Sequence, residues 1–193
     1  FLLADELGFS EAYVGEHVTD RAENITSCIA FIAWLAAATK QIRLGTGTVN
    51  LPNSHPAAVA ATIAMLDHML DGRLIFGISP GGLLSDAELF GNLDADRNAM
   101  FLEAINQVLA IWESNPPYNL AGKYWNISVQ RTLIEDIGQG IIGNPERITL
   151  HLDQKIAIRR RIDEIGRRIR IIVVRIDGNA AVTRGDAKNS KKR

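Results

Sequence analysis

Between residues 4 and 112 the chain alternates short β-branched runs that end in glycine with Ala-rich or amphipathic helical runs, and this order restricts the fold more than any other feature. Residues 4–9 read as the end of a helix with Gly8 at the left-handed cap, and residues 11–16 as a short strand. Residues 27–39 are rich in Ala, Ile, Leu and Trp with almost no charge, as in a helix buried over most of its circumference, and Ser27 is placed to cap it. Residues 42–49 form a strand whose Gly45 and Gly47 admit a bulge or the close approach of another group. A second Ala-rich helix spans 57–70 and is capped by Asp71-Gly72; a strand at 73–79 follows and stops at Pro80-Gly81-Gly82. Ser85-x-x-Glu88 has the spacing of a capping box, and Phe101, Ile105, Val108 and Trp112 recur at helical intervals within 97–112. Strands alternating with helices imply right-handed βαβ units and a parallel sheet, either doubly wound or a (β/α)8 barrel. Periodicity does not choose between them.

Composition narrows the class. The 193 residues carry 21 Lys+Arg against 22 Asp+Glu and are 47% hydrophobic, which excludes disorder and fibrous folds. The lone Cys28 makes no internal disulfide, reads as a small buried residue, and makes a reducing cytoplasm the expected setting. No apolar stretch reaches the roughly 18 residues of a membrane span, and Phe1-Leu2-Leu3 runs into Asp5-Glu6 without the basic start of a signal peptide. The chain looks cut at its front. Residues 1–140 hold 7 basic and 16 acidic side chains, residues 141–193 hold 14 and 6, and all 12 aromatic residues lie at or before Trp125. A boundary is therefore expected near Gly138–Gly143, dividing residues 1–137 from a divergent basic segment, 138–193.

Specific strings favour the barrel. Leu7-Gly8-Phe9 precedes Val14-Gly15-Glu16-His17; Ala38-Thr39-Lys40 precedes Ile42-Arg43-Leu44-Gly45-Thr46; Leu51-Pro52 precedes His55-Pro56; and Leu66-Asp67 precedes Gly72-Arg73 and Phe76-Gly77-Ile78-Ser79-Pro80-Gly81-Gly82. In this order and spacing, with Phe90-Gly91 and Arg97, the chain resembles the bacterial luciferase-like flavin monooxygenases, which are (β/α)8 TIM-type barrels. Residues 117–125 are similar to the hairpin that follows the fourth barrel helix in many relatives. The resemblance extends to about Ile137 and makes the visible strands the second, third and fourth of eight, so the barrel is expected to be incomplete. A full barrel needs roughly 200 to 250 residues or more. The resemblance also implies a function: reduced FMN, supplied by a flavin reductase, reacts with O2 and a small organic substrate. A deazaflavin (F420)-dependent oxidoreductase of the same superfamily is the nearest alternative, and a non-catalytic truncated or basic-tailed binding protein is another. By itself the chain is expected neither to close a barrel nor to act as a competent monooxygenase.

His17 follows the first visible strand, at the carboxyl edge where barrel enzymes place their sites, and an imidazole with an ordinary pKa near 6.5 suits proton transfer. The resemblance makes it catalytic. Glu16 points to the opposite side of the extended chain and is expected to form a structural ion pair. His55, between Pro52 and Pro56, is read either as shaping the flavin pocket or as bracing its loop. The resemblance places Gly45, Thr46, Gly47 and Thr48 beside the isoalloxazine ring, with the Gly47-Thr48 peptide cis as in some relatives. Ser79, Pro80, Gly81 and Gly82 end the next strand, where small residues let a flat ring reach the backbone. This segment is neither a P-loop nor a dinucleotide fingerprint. In the family the flavin phosphate is held by loops after the fifth and later strands.

His68 reads as structural, and His151 has no partner at a metal-ligand spacing, so no metal site is expected. Lys40, Arg43 and Arg73 read as solvated charges. Arg159-Arg160-Arg161, Arg167-Arg168 and Arg170 alternate with isoleucines, but without aromatic residues they argue poorly for nucleic-acid or membrane binding. Residues 154–168 are expected to be helical and 171–176 to be a candidate strand. The Ala-rich helices 27–39 and 57–70 are expected to form a homodimer interface in intact relatives.

Overall fold

The computed structural model describes residues 1–129 and the backbone of one further strand, Arg170–Val173. The elements run α1 (Leu2–Glu6), β1 (Glu11–Val14), α2 (Cys28–Ala36), β2 (Arg43–Thr46), β3 (Val49–Asn50), a 3-10 turn (Leu51–Asn53), α3 (Pro56–Leu70), β4 (Leu74–Ser79), α4 (Leu84–Leu89), α5 (Arg97–Glu113), the short pair β5 (Asn119–Leu120) and β6 (Ile127–Ser128), and β7 (Arg170–Val173). The pair β5–β6 is antiparallel, and the main sheet is parallel throughout.

In the main sheet β1 pairs with β2, β2 and β3 both pair with β4, and β7 lies along β4. The register steps from Gly45↔Ile75 to Val49↔Ile78, one residue more on the first strand than on the second. β2 and β3 are therefore a single strand carrying a bulge at 46–48, as Gly45 and Gly47 led one to expect. The strands follow chain order without the reversal of a doubly wound sheet, and α2, α3 and α5 pack side by side on one face. β7 covers the edge of β4 that three strands alone would leave open. It overlaps the candidate strand 171–176; the candidate helix 154–168 and the boundary near 138–143 lie outside the described residues.

Leu44, Leu74, Phe76 and Ile78 turn toward the helices, where Phe76 meets Trp112 of α5 edge-on at 6.1 Å. The Trp112 indole N–H donates to the Ala60 carbonyl at 3.0 Å, which ties α5 to α3. β4 is buried on both faces, which explains its unbroken apolar run. Ser27 caps α2, its hydroxyl accepting from Ala30 N at 3.2 Å. Gly8 and the Asp71-Gly72 pair take positive φ at the ends of α1 and α3, as expected.

Two expectations fail. Ser85 caps nothing, because it lies inside α4, which starts at Leu84 behind Leu83, a residue that makes no side-chain cap. Arg73 is not a solvated charge: its guanidinium donates to the carbonyls of Ala36, Thr39 and Ile42 and to the Thr39 hydroxyl. These are carbonyls at the end of α2 and in the turn into β2, a cluster of negative dipole ends to which a half-buried cation is drawn. His68 is exposed on α3.

Candidate functional site

The carboxyl ends of β1, β3 and β4 open on one edge of the sheet, where parallel α/β proteins place their ligands. At the end of β1 the chain turns back on itself, His17 N donating to Ile25 O at 3.2 Å. Glu16 then faces the start of α2 and accepts from Cys28 N at 2.8 Å. Its partner is a helix-terminal amide rather than the cation of the expected ion pair, a placement the positive N-terminal end of a helix favours. Burial, with the Glu16 carboxylate adding to it, pushes the Cys28 thiol far up, so this cysteine is inert.

His17 points the other way. Its Nδ1 lies 3.1 Å from Oδ2 of the buried Asp86 on α4. Burial alone would raise the Asp86 carboxyl. The Thr19 hydroxyl, His17, and the amides of Thr19 and Val18 outweigh that and hold it below its ordinary value. Thr19 gives Oδ1 two bonds, from N at 2.9 Å and Oγ1 at 2.6 Å, while the Ser85 hydroxyl donates to Thr19 Oγ1 at 2.6 Å. An ionised carboxylate only accepts, so Nδ1 of His17 carries a proton, and in the neutral ring the lone pair is on Nε2. His17 is about one-third exposed. The arrangement is a base whose tautomer is fixed by a buried carboxylate.

The bulge forms the next part of the edge. The Gly47-Thr48 peptide is cis, as the resemblance implied, and Gly47 is exposed. Thr46 is fully buried, its hydroxyl committed to Gly77 across the sheet. The Thr48 hydroxyl donates to Ser79 Oγ at 2.8 Å, Ser79 donates to Asn50 Oδ1 at 2.6 Å, and Gly81 N donates to Ser79 Oγ at 3.1 Å. Gly81 turns at φ +82°, a conformation that favours glycine, and its carbonyl accepts from Arg97 Nη1 at 3.3 Å. Pro80 is buried and Gly82 exposed. Gly45 is buried against the Tyr13 ring. With the hydroxyls tied to one another, the edge offers exposed glycine backbone at Gly47 and Gly82, a surface that fits a flat ring such as a flavin.

A cavity of about 230 Å³ lies beside this edge, lined by His17 and Asp86 together with Asn50, Asn53, Val49 and Phe90. It brings His17 together with Asp86, Asn50 and Asn53, which are absent from the sequence reading. The expected flavin positions Gly45, Thr46, Gly47, Thr48, Ser79, Pro80, Gly81 and Gly82 do not line it, and His55 is next to it rather than in it. His55 Nδ1 accepts from Ala57 N at 3.3 Å, which makes it the N-cap of α3. Asp86 and Asn53 carried no local sequence signal, since their partners lie 69 and 39 residues away. Asn50 did have one, directly following a strand. Among the described residues no cluster of His, Cys, Asp and Glu is arranged to hold a metal, and no helix is long and apolar enough to cross a membrane.

A parallel sheet in chain order, helices on one face and a polar site at the carboxyl edge define a segment of a (β/α)8 barrel of enzymatic type. Residues 1–141 match the family model for luciferase-like monooxygenases, and the chain belongs to that family. It is 40% identical over 104 residues to limonene 1,2-monooxygenase of Rhodococcus erythropolis, covering 54% of this chain and 27% of that protein. Over 125 residues it is 34% identical to 2,5-diketocamphane 1,2-monooxygenase 2 of Pseudomonas putida, covering 64% and 34%. The chain spans about a third or less of the length of these relatives. Among solved structures it superposes on the oxygenating constituent of the Pseudomonas putida 3,6-diketocamphane monooxygenase in complex with FMN, with TM-score 0.64 and 28% identity over 70% of this chain and 38% of that one. It also superposes on an F420-dependent secondary alcohol dehydrogenase, with TM-score 0.59 and 25% identity over 66% and 40%.

Proposed function

We propose that the chain is the strand-end portion of a flavin-dependent monooxygenase that uses reduced FMN and O2 on a small organic substrate, with a flavin reductase supplying the reduced cofactor. The observation that carries this reading is the His17–Asp86 pair at the carboxyl edge of a luciferase-like barrel. When bound, the flavin supplies the electrons that activate oxygen. The rest of the role falls to this chain's own residues. Gly47, Thr48 and the segment Ser79–Gly82 would seat the ring, and the phosphate would fall to loops outside the described residues. Val49 and Phe90 limit water at the cavity, and Nε2 of His17 takes or returns a proton while Asp86 holds the ring in one tautomer. A homodimer through α2 and α3 completes the reading, supported by the exposure of Trp34, Met65 and Met69 on those helices.

The test is oxygen uptake driven by reduced FMN in the intact enzyme that contains this segment, above the free-flavin background, with His17→Ala as the comparison. The F420-dependent alternative is favoured by the superposition on the F420-dependent dehydrogenase. An F420 spectral change with an alcohol substrate, in place of oxygen uptake, would select it.

A further inference from the structure

Glu16, Asp20, Glu23 and Asp86 lie on or against the loop that follows β1. Glu16 accepts from Cys28 N, Asp20 accepts from Ala22 N at 2.8 Å, and Asp86 is taken by Thr19 and His17. Glu23 alone of these makes no hydrogen bond or ion pair among the described residues, nor does it pair with Arg21 two positions before it. It is exposed, yet the loop does not leave it trailing in solvent. The bond from His17 N to Ile25 O closes the base of the loop, and Thr19 fastens its first half to α4. From that frame the Glu23 carboxylate folds back over the end of β1: a Cβ on Gly15 would lie 3.5 Å from its Oε2 and 3.9 Å from its Oε1.

The same bare spot belongs to the next strand as well. Gly47 N donates to Val14 O at 2.7 Å, which draws the Gly47-Thr48 peptide against the end of β1. The Gly47 carbonyl oxygen lies 3.5 Å from that same Gly15 Cβ position. A carboxylate and a carbonyl therefore converge on one place, and both only accept. Among the described residues no protein donor serves either of them. Two protein oxygens are too few to hold a calcium ion. What the place calls for is an N–H donor. It adjoins Gly47, part of the ring's seat, and a flavin ring carries one N–H in its oxidised form, the imide at N3.

We propose that Glu23 positions the cofactor: its carboxylate accepts the imide N–H of the flavin and so fixes which end of the ring lies over β1. This rests on the flavin reading, and because a deazaflavin carries the same imide it holds for either cofactor. Glu23 has no bond to break when the ring arrives. The repulsion between its carboxylate and the Gly47 carbonyl is relieved once a donor lies between them. A neutral acceptor would do less here, since hydrogen bonds to charged groups are the stronger kind.

The test titrates the intact enzyme that contains this segment with FMN and with 3-methyl-FMN, in which a methyl group replaces the imide proton, and follows flavin fluorescence. FMN should bind about tenfold more tightly or better, the value of one hydrogen bond to a charged group. Glu23→Ala removes the acceptor and should weaken FMN binding about tenfold, so that the preference falls to about twofold or less. Glu23→Gln keeps a neutral acceptor and should restore part of the preference. Equal binding of the two flavins by the unaltered enzyme would overturn the proposal and leave the flavin reading standing. A preference that Glu23→Ala does not reduce would do the same, since the methyl group would then be clashing elsewhere in the site. So would a preference lost only because 3-methyl-FMN binds more tightly while FMN is not weakened. Binding of neither flavin would overturn both readings. The first comparison decides even if a variant does not fold.

Discussion

The hydroxyl of Thr46 fills the gap that the bulge opens in the sheet: it accepts from Gly77 N at 2.8 Å and donates to Gly77 O at 2.7 Å. One side chain thereby replaces the two backbone bonds that the register step removes. A Cβ on Gly77 would lie 2.0 Å from the Thr46 carbonyl oxygen, so the two strands can approach only at a glycine. The hydrogen-bonded strand ends at Thr48, Asn50 and Ser79 follow this contact along the sheet.

Thr46→Val is expected to destabilise the fold by about 1–3 kcal/mol for each Gly77 group left unpaired. Gly77→Ala should do worse, at roughly 4 kcal/mol or more, because both close atoms belong to backbone. Chemical denaturation of the two variants checks the order. A Gly77→Ala protein as stable as the parent would show that the strands are not this close.

Arg73→Lys keeps the charge but loses the planar fork that reaches three carbonyls and a hydroxyl, and should cost about 1–3 kcal/mol. Lys40→Ala, at an exposed position, should fall within about 0.5 kcal/mol of the parent. The difference between the two in a denaturant titration is the readout.

Stability should fall on the acid side. Asp5 accepts from the amides of Ile42, Gln41 and Lys40, and these bonds hold its carboxyl below the ordinary value. Glu103 is pushed up by burial but held low overall by the amides of Trp125, Tyr124 and Lys123, which dock the β5–β6 hairpin on α5. Asp86 behaves likewise. Each folded-state pKa lies below the unfolded one, so each contributes stability above about pH 4 that is lost as pH falls through the folded value. Melting temperature against pH should therefore drop below about pH 4, and Asp5→Asn should flatten that limb.

In the intact enzyme, His17→Ala should lower turnover about 100- to 10,000-fold, the range for a lost general base, with little change in melting temperature. Asp86→Asn should leave His17 in place but free its tautomer, which lowers turnover less. Equal losses of stability and activity in His17→Ala would assign the residue a structural role.

Trp34 is 69% exposed on α2, with Met65 at 58% and Met69 at 46% on α3. If these faces meet a second copy, sedimentation of the protein should give twice the chain mass and Trp34→Glu the chain mass itself. A monomer at high concentration in both would dismiss the interface.

Much of the fold was legible because its signals are local. Glycine-ended strands, Ala-rich helices and the caps at Gly8, Ser27 and Asp71-Gly72 can be read from a few neighbouring residues. The site was legible only in part. His17 and the cis Gly47-Thr48 peptide were reached through the resemblance, whereas Asp86, Asn53 and Asn92 act through partners far away in sequence. Arg73 and Ser85 misled for the same reason: a guanidinium at a strand start looks solvated until the end of α2 arrives beside it, and a Ser-x-x-Glu spacing does not say where the helix begins.

The claim that a flavin ring sits on the strand ends near Gly47 and Gly82 is tested most directly by titrating FMN with the folded protein and following flavin fluorescence. The account predicts saturable quenching with one FMN per chain, weakened by Gly47→Val. A flat fluorescence signal at high concentrations of protein that still unfolds cooperatively would contradict it.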